Sequence, residues 1–217
     1  MSHEASKAAR RRAKDPAFTD VYLVGEGVDI GAGPDGLSKL KELFPRITAV
    51  RDWDIPDGDA MLMQSVSDAT FDFVHSSHCL EHLYSPAVAL TNWLRIVKPG
   101  GYVVVTIPDE DLYEQGVWPS TFNPDHKFTF TTLKSQSWSP RSVSLALLLA
   151  TLEPVPELVK LEQLHQGYDW EGERRDLTYL THAECAIEIV LRRRTEDELM
   201  RGGRLRPSPQ LELIAHA

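Results

Sequence analysis

The sequence has little of what several specialised protein classes require. Only two cysteines occur, Cys79 and Cys185, with no Cys-x-x-Cys spacing. That excludes a disulfide framework and a cysteine-built zinc site, and it suits a reducing, cytoplasmic location. Positive charge is short: 23 Lys and Arg face 32 Asp and Glu, a net charge of −9. A nucleic-acid partner is therefore not expected. Long apolar runs are missing too. The longest, residues 143–152, is interrupted by Ser144 and Thr151 and is too short to span a bilayer. The leading residues are polar and basic, without an apolar signal core, and no internal repeat is visible.

What is present is an ordinary globular composition, 42% apolar and 25% charged over 217 residues, enough for one domain with a sizeable core. The chain is organised around Val28-Asp29-Ile30-Gly31-Ala32-Gly33-Pro34-Asp35-Gly36. An apolar strand breaks there into a glycine turn, and a helical pattern follows at Leu37, Leu40, Leu43 and Phe44. Glycines in such a turn permit positive φ and let a ligand lie against bare backbone. Asp29 adds a carboxylate that could accept from an amine.

Before this turn, residues 2–15 are helix-prone and carry Arg10, Arg11, Arg12 and Lys14. They read as a solvated leading helix; the sharper alternative is an arm or lid over a ligand site. Phe18, Val21, Tyr22 and Leu23 could cover the glycine turn, with Tyr22 near a ligand or simply in the core. After the turn, residues 47–50 predict a second strand that runs into Asp52-Trp53-Asp54. An acid there can accept from both hydroxyls of a ribose, and Asp52 is preferred because it is nearer the strand. Asp59 and Ala60 could meet an adenine amino group.

Residues 71–75 predict another strand, followed by Ser76-Ser77-His78-Cys79-Leu80-Glu81-His82. Parallel strand ends face a ligand crevice, so Ser76, Ser77, His78 and His82 are candidates. The His78, Glu81, His82 spacing also invites a metal reading, but the sequence shows no third ligand and no metal is expected. Ser85-Pro86 is a helix start, and Ala87, Leu90, Leu94 and Val97 form its apolar face. Lys98-Pro99-Gly100-Gly101 then turns into a doubly covered strand at residues 102–107, which ends at Pro108-Asp109. The aromatic stretch 112–133, with His126 in it, is where a substrate wall would lie. An amphipathic helix follows near residues 145–152. Strands at 158–165 and 185–191 make a final antiparallel pair, the Arg192 to Arg194 run is solvated, and residues 195–217 form a mobile tail after a single domain of residues 1–194.

Taken together, Asp29-x-Gly31-x-Gly33, the acid after the second strand, Gly58-Asp59-Ala60, the block at residues 71–83 and Lys98-Pro99-Gly100-Gly101 closely resemble class I S-adenosylmethionine-dependent methyltransferases, in particular the "type 11" group. The resemblance covers residues 25–109. It implies an α/β, doubly wound Rossmann-like sheet of order 3-2-1-4-5-7-6, strand 7 antiparallel, with helices on both faces. It also implies S-adenosylmethionine as cofactor. Asp29, Gly31 and Gly33 would hold its methionine part, Asp52 the ribose, Asp59 and Ala60 the adenine, and Ser76 and Ser77 with His78 the methyl-donor end. The third glycine of the family pattern falls at Gly36 instead of at Asp35, and the region between the second and third strands is short.

A small-molecule or sugar acceptor is expected, with no membrane partner. A base is required only if the acceptor must lose a proton; His126 is the first candidate, then His78 and Asp109. His82 is expected to cap or pack within its short helix. Two other readings remain: a non-catalytic binding protein on the same fold, and a dehydrogenase, since Gly31, Gly33 and Gly36 also fit Gly-x-Gly-x-x-Gly. The Leu-Glu-His and Lys-Pro-Gly-Gly blocks favour the methyltransferase.

Overall fold

Helix α1, Glu4–Arg12, opens the computed structural model, which describes residues 4–206. A π-helical turn, Phe18–Tyr22, leads into strand β1, Gly25–Ile30. The 3-10 segment Leu37–Leu43 follows the glycine turn, then β2, Ile47–Trp53, and β3, Phe71–Ser77. Helix α2, Pro86–Ile96, starts where Ser85 Oγ accepts from Val88 N and Pro86 occupies the first turn. Strand β4, Val97–Pro108, comes next, then the short pair β5, Thr129–Thr131, and β6, Ser142–Ser144. Helix α3, Leu145–Ala150, β7, Pro156–Leu164, β8, Ala186–Arg193, and helix α4, Glu196–Arg201, complete the order.

The main sheet runs β2-β1-β3-β4-β8-β7. Strands β1 to β4 are parallel, and β8 lies antiparallel to both β4 and β7. This is the doubly wound α/β order expected, with the antiparallel strand in place. Its outermost strand, beyond β2, does not form among the described residues. Residues 54–70 make a 3-10 turn, Ile55–Asp57, and further turns instead. Arg95 on α2 takes over part of a strand's role there. It donates to the carbonyls of Val66 (2.8 Å) and Met63 (2.9 Å) and to Asp68 (2.7 Å), so turn backbone that no ladder pairs is still satisfied.

Side-chain alternation splits the core across the sheet. Val74, Val103, Val105 and Ile189 face α2 and α3, where Leu90, Trp93, Leu94 and Leu145 cover them. Phe73, Val104 and Val190 face the other way, against Ala9, Phe18, Leu37 and Phe44. Trp93 is thus a packing residue. Tyr22 packs on Phe18 and Tyr102 and lies beside Gly25 and Lys98. That is where β1 begins, the opposite end of the sheet from the glycine turn, so Tyr22 covers no ligand at that turn.

Helix α1 is not a solvated leading helix. Ala8, Ala9 and Arg12 are buried. Arg12 Nε donates to Glu188 Oε2 on β8 at 2.6 Å, Nη2 to Thr106 Oγ1 at 2.6 Å, and Nη1 to His75 Nε2 at 2.8 Å. Arg11 and Lys160 also bind Glu188. Burial alone would raise the Glu188 pKa, but the Arg12 and Arg11 charges hold its carboxyl well below the ordinary carboxylate range. The arginine run misled because its partners lie far along the chain. The same correction applies to Arg192, which is buried and paired with Glu198 (2.9 Å) and Glu157 (3.1 Å), and to Arg193, which donates to the carbonyls of Arg95 and Val97. The expected tail opens with α4, capped by Thr195 and Glu198 in a reciprocal box. Residues 207–217 lie outside the described residues.

Removing the guanidinium of Arg12 would leave buried Thr106 and His75 atoms without a donor and Glu188 with fewer cations. Arg12→Ala is expected to cost about 3–5 kcal/mol of stability, the range for breaking a buried ion pair. Arg11→Ala, whose side chain is 24% exposed, should cost less. Urea unfolding of both variants checks the order.

Candidate active site

Strand β1 ends in Asp29 and Ile30, and the glycine turn follows at the carboxyl edge of the sheet, beside the ends of β2 and β3. Gly31 has φ +76°, and a Cβ there would lie 2.5 Å from Cys79 Cβ. No side chain fits. Gly33 has φ +52°, and a Cβ there would meet nothing within 4 Å. One glycine is demanded by packing, the other leaves backbone open to a cavity. That cavity has a volume of about 600 Å³ and is lined by Gly31, Gly33, Asp54, Ile55, Gly58, Asp59, Ala60, His78, Cys79, His82, Leu83 and Asp125. Its size is that of a cofactor site.

Asp29 does not line it. The carboxylate is buried beneath the turn, where Oδ2 accepts from Leu37 N (2.6 Å) and Oδ1 is 2.6 Å from His75 Nδ1. Arg12 has donors only, so His75 Nε2 accepts from it and the imidazole proton sits on Nδ1, facing Asp29. Asp29 therefore shapes the turn. Asp52 is not in the cavity lining either. It pairs in register with Asp29 and turns to the same face, where Oδ2 accepts from Ser38 Oγ at 2.5 Å. Two residues on, beyond the strand, Asp54 reaches the cavity and accepts from Gly33 N (3.2 Å) and Ile55 N (2.8 Å). Asp59 and Ala60 line the cavity as well; Asp59 Oδ1 also accepts from Met61 N at 2.7 Å.

Ser76 and Ser77 still belong to β3, which runs further than the sequence suggested, and neither lines the cavity. Ser76 Oγ donates to the Ile30 carbonyl at 2.9 Å. The turn after them does the lining. His78 has φ +53°, a conformation that few side chains adopt, and its N–H donates to the Thr106 carbonyl at 2.9 Å. Burial pushes the Cys79 thiol up to about 12, which makes it a packing group and not a nucleophile.

A smaller cavity of about 300 Å³ adjoins this turn. It is lined by Glu4 from α1, by Tyr113, Phe122, Asn123 and His126 from the aromatic stretch, and by Asp176, Thr178 and Tyr179 from the loop before β8. His78 and His82 line both cavities. The aromatic stretch thus supplies a wall, as expected, although Phe128 and Phe130 turn into the core. Helix α1 contributes its first described residue to the wall while its body stays under the sheet. His82 does more than cap its helix. His126 is buried, with Nδ1 2.8 Å from Glu114 Oε1. Sequence reasoning missed Glu4, Glu114 and the Asp176 loop, none of which has a local signature.

Asp109 lines neither cavity. Its Oδ1 caps the turn Glu110–Glu114 by accepting from Asp111 N and Leu112 N, and Oδ2 accepts from Gln163 Nε2 at 2.9 Å. In this fold it serves as a cap. Burial raises its pKa to about 6. The folded state then binds the extra proton between the unfolded value, about 3.9, and about 6, so this residue's contribution to stability falls as pH rises through that window. Asp109→Asn keeps a capping oxygen and removes the titration. Unfolding free energies measured from pH 4 to 7 should drop less steeply in the variant, by about 1–3 kcal/mol across the range.

Among the described residues no helix is long and apolar enough to cross a membrane. Residues 4–174 match the family described as a methyltransferase domain. An uncharacterized methyltransferase of Schizosaccharomyces pombe is 40% identical over 58 residues, which are 27% of this chain and 20% of that protein's length. A SAM-dependent methyltransferase from Archaeoglobus fulgidus superposes with a TM-score of 0.56 at 18% identity, over 88% of this chain and 95% of that one. The 1,6-didemethyltoxoflavin-N1-methyltransferase of Burkholderia thailandensis, solved with that compound and S-adenosylhomocysteine, gives 0.51 at 15% identity over 87% and 79%. The solved structures share the Rossmann-like fold described above. On the family match, the chain belongs to the methyltransferase domain family, a class whose cofactor is S-adenosylmethionine.

Proposed function

We propose that this protein transfers the methyl group of S-adenosylmethionine to a small molecule bound in the smaller cavity. The observation that carries the reading is the pair of adjoining cavities bordered by His78 and His82: one runs along bare glycine backbone, the other is small and mixed in polarity. When bound, the cofactor supplies a sulfonium-activated methyl, so the protein's task is chiefly alignment and exclusion of water. Gly33 leaves its backbone open for the methionine part. Asp54 accepts from the ribose hydroxyls, taking the role first given to Asp52. Asp59 and Ala60 flank the adenine.

The acceptor wall has aromatic surface from Tyr113 and Phe122 and acids from Glu4 and Asp176. That combination suits a compact hydroxyl- or amine-bearing molecule, a sugar included, and disfavours a strongly anionic one. His78 is the side chain set to touch the attacking atom. The Burkholderia protein on this fold also takes a small molecule. Two free cysteines, Cys79 and Cys185, fit a cytoplasmic setting.

Calorimetric titration with S-adenosylhomocysteine, and with NAD as control, tests the cofactor. Binding of the first alone is expected. Asp54→Ala should weaken it by about 10–100-fold, corresponding to a lost charged hydrogen bond of about 1.5–3 kcal/mol. Asp52→Ala should leave affinity within a few-fold. Equal losses, or tighter binding of NAD, would sink this assignment.

A further inference from the structure

We propose that Glu81, His82 and His126 form a binding site for one divalent transition-metal ion at the border of the smaller cavity. Glu81 carries the argument. Its side chain is 1% exposed, and neither carboxylate oxygen accepts a hydrogen bond. A buried carboxylate left so is costly unless a cation or donor faces it. What faces it are imidazole nitrogens: His82 Nε2 at 3.9 Å, His126 Nε2 at 4.0 Å and His78 Nδ1 at 3.5 Å.

The two outer histidines are arranged alike. His82 Nδ1 is 3.0 Å from Asp125 Oδ2, and His126 Nδ1 is 2.8 Å from Glu114 Oε1. A carboxylate on Nδ1 holds the proton there and leaves the Nε2 lone pair free for a ligand bond, the usual second layer of a metal-bound histidine. One donor atom from each of Glu81, His82 and His126 lies within 4.8 Å of the others. Tetrahedral bonds of about 2.0–2.1 Å set ligand atoms about 3.3–3.5 Å apart, so a modest inward movement closes the site. His82, on the open side at 26% exposure, has room to make it. The loop that brings His126 is fastened at the right place, because Lys127 N donates to the Glu81 carbonyl at 2.9 Å.

Two imidazoles and one carboxylate suit zinc, iron, cobalt or nickel, not magnesium or calcium, which take oxygen ligands. Three protein ligands leave a coordination position open. His82 and His126 both line the smaller cavity, so an acceptor oxygen or nitrogen is the natural occupant of that position; this use, unlike the ion site itself, rests on the methyltransferase reading.

The test uses untagged full-length protein, stripped with chelator and titrated with Zn²⁺ by calorimetry and with Co²⁺ by visible absorption. S-adenosylhomocysteine is titrated in parallel. One equivalent of zinc is expected, with a cobalt band of tetrahedral or five-coordinate nitrogen and oxygen ligation. Glu81→Gln and His126→Ala should abolish saturable binding. Glu114→Gln, which removes only the outer carboxylate, should weaken it by about 10–100-fold, while His165→Ala, at an exposed histidine outside the cluster, leaves it unchanged. Absence of zinc binding in the folded wild type, or equal binding in Glu81→Gln, overturns the site and marks the cluster as an ion-paired histidine group. If the variants fail to fold, the wild-type cobalt spectrum decides alone. Zinc binding without S-adenosylhomocysteine binding would leave the metal site standing and overturn the cofactor assignment; the converse would do the reverse.

Discussion

A single guanidinium under the sheet ties the molecule's two halves together. Arg12 is 1% exposed, yet each of its nitrogens has an acceptor: Glu188 on β8, Thr106 on β4 and His75 on β3. Burying a charge is tolerable only with such complete pairing. The pairing has a directional consequence. Arg12 can only donate, so His75 must accept on Nε2 and present Nδ1–H to Asp29. Asp29 in turn accepts from Leu37 N, where the 3-10 segment after the glycine turn begins. A line of hydrogen bonds therefore runs from the N-terminal helix through β3 and β1 to the glycine turn. The same helix sets Glu4 in the wall of the smaller cavity. The proposed cofactor cradle and acceptor wall are thereby fixed to one another.

That chain also explains how far the sequence could be read. The glycine turn, the doubly covered β4, the Ser85-Pro86 helix start and the antiparallel final strand all rest on local chemistry or short-period patterning, and all were legible. Misreadings occurred where a side chain's direction or partner is set by distant residues. Asp52 and Asp54 look equivalent along the sequence. Only the register of β2 against β1 reveals that Asp52 turns to the Asp29 face while Asp54, past the strand, reaches the cavity. Arg12 and Arg192 sit in charge runs that suggest solvent, but Glu188 and Glu198 draw them inside. Ser76 and Ser77 read as turn residues, but β3 continues through them and the turn starts at His78. The third histidine beside Glu81 was invisible, because a loop more than forty positions downstream (residues 81 to 126) carries it there.

Buried acids recur around the site, and each is neutralised differently. Glu188 is held by three cations and stays ionised. Glu110 accepts from Thr129, Ser137 and Lys134. Asp109 has amide donors only, and burial raises its pKa. Glu81 has imidazoles at 3.5–4.0 Å and no hydrogen bond. The first three are accounted for by capping, hydroxyl donors or ion pairing within the fold. Glu81 has only longer imidazole contacts and no hydrogen bond, a looser pairing than the other three acids have.

Displacement at a sulfonium methyl asks a protein for alignment more than for proton transfer. The distribution of order in this molecule agrees with that demand. Gly31 is locked against Cys79, His78 is pinned in a strained backbone conformation by Thr106, and His126 is fixed by Glu114 and the neighbouring Lys127–Glu81 backbone bond. These constraints converge on the border between the two cavities, where a donor methyl and an attacking atom would have to be held in line. Loosening any of them would cost geometry before it cost acid–base chemistry, since Asp109, whose carboxyl pKa burial pushes up, lines neither cavity.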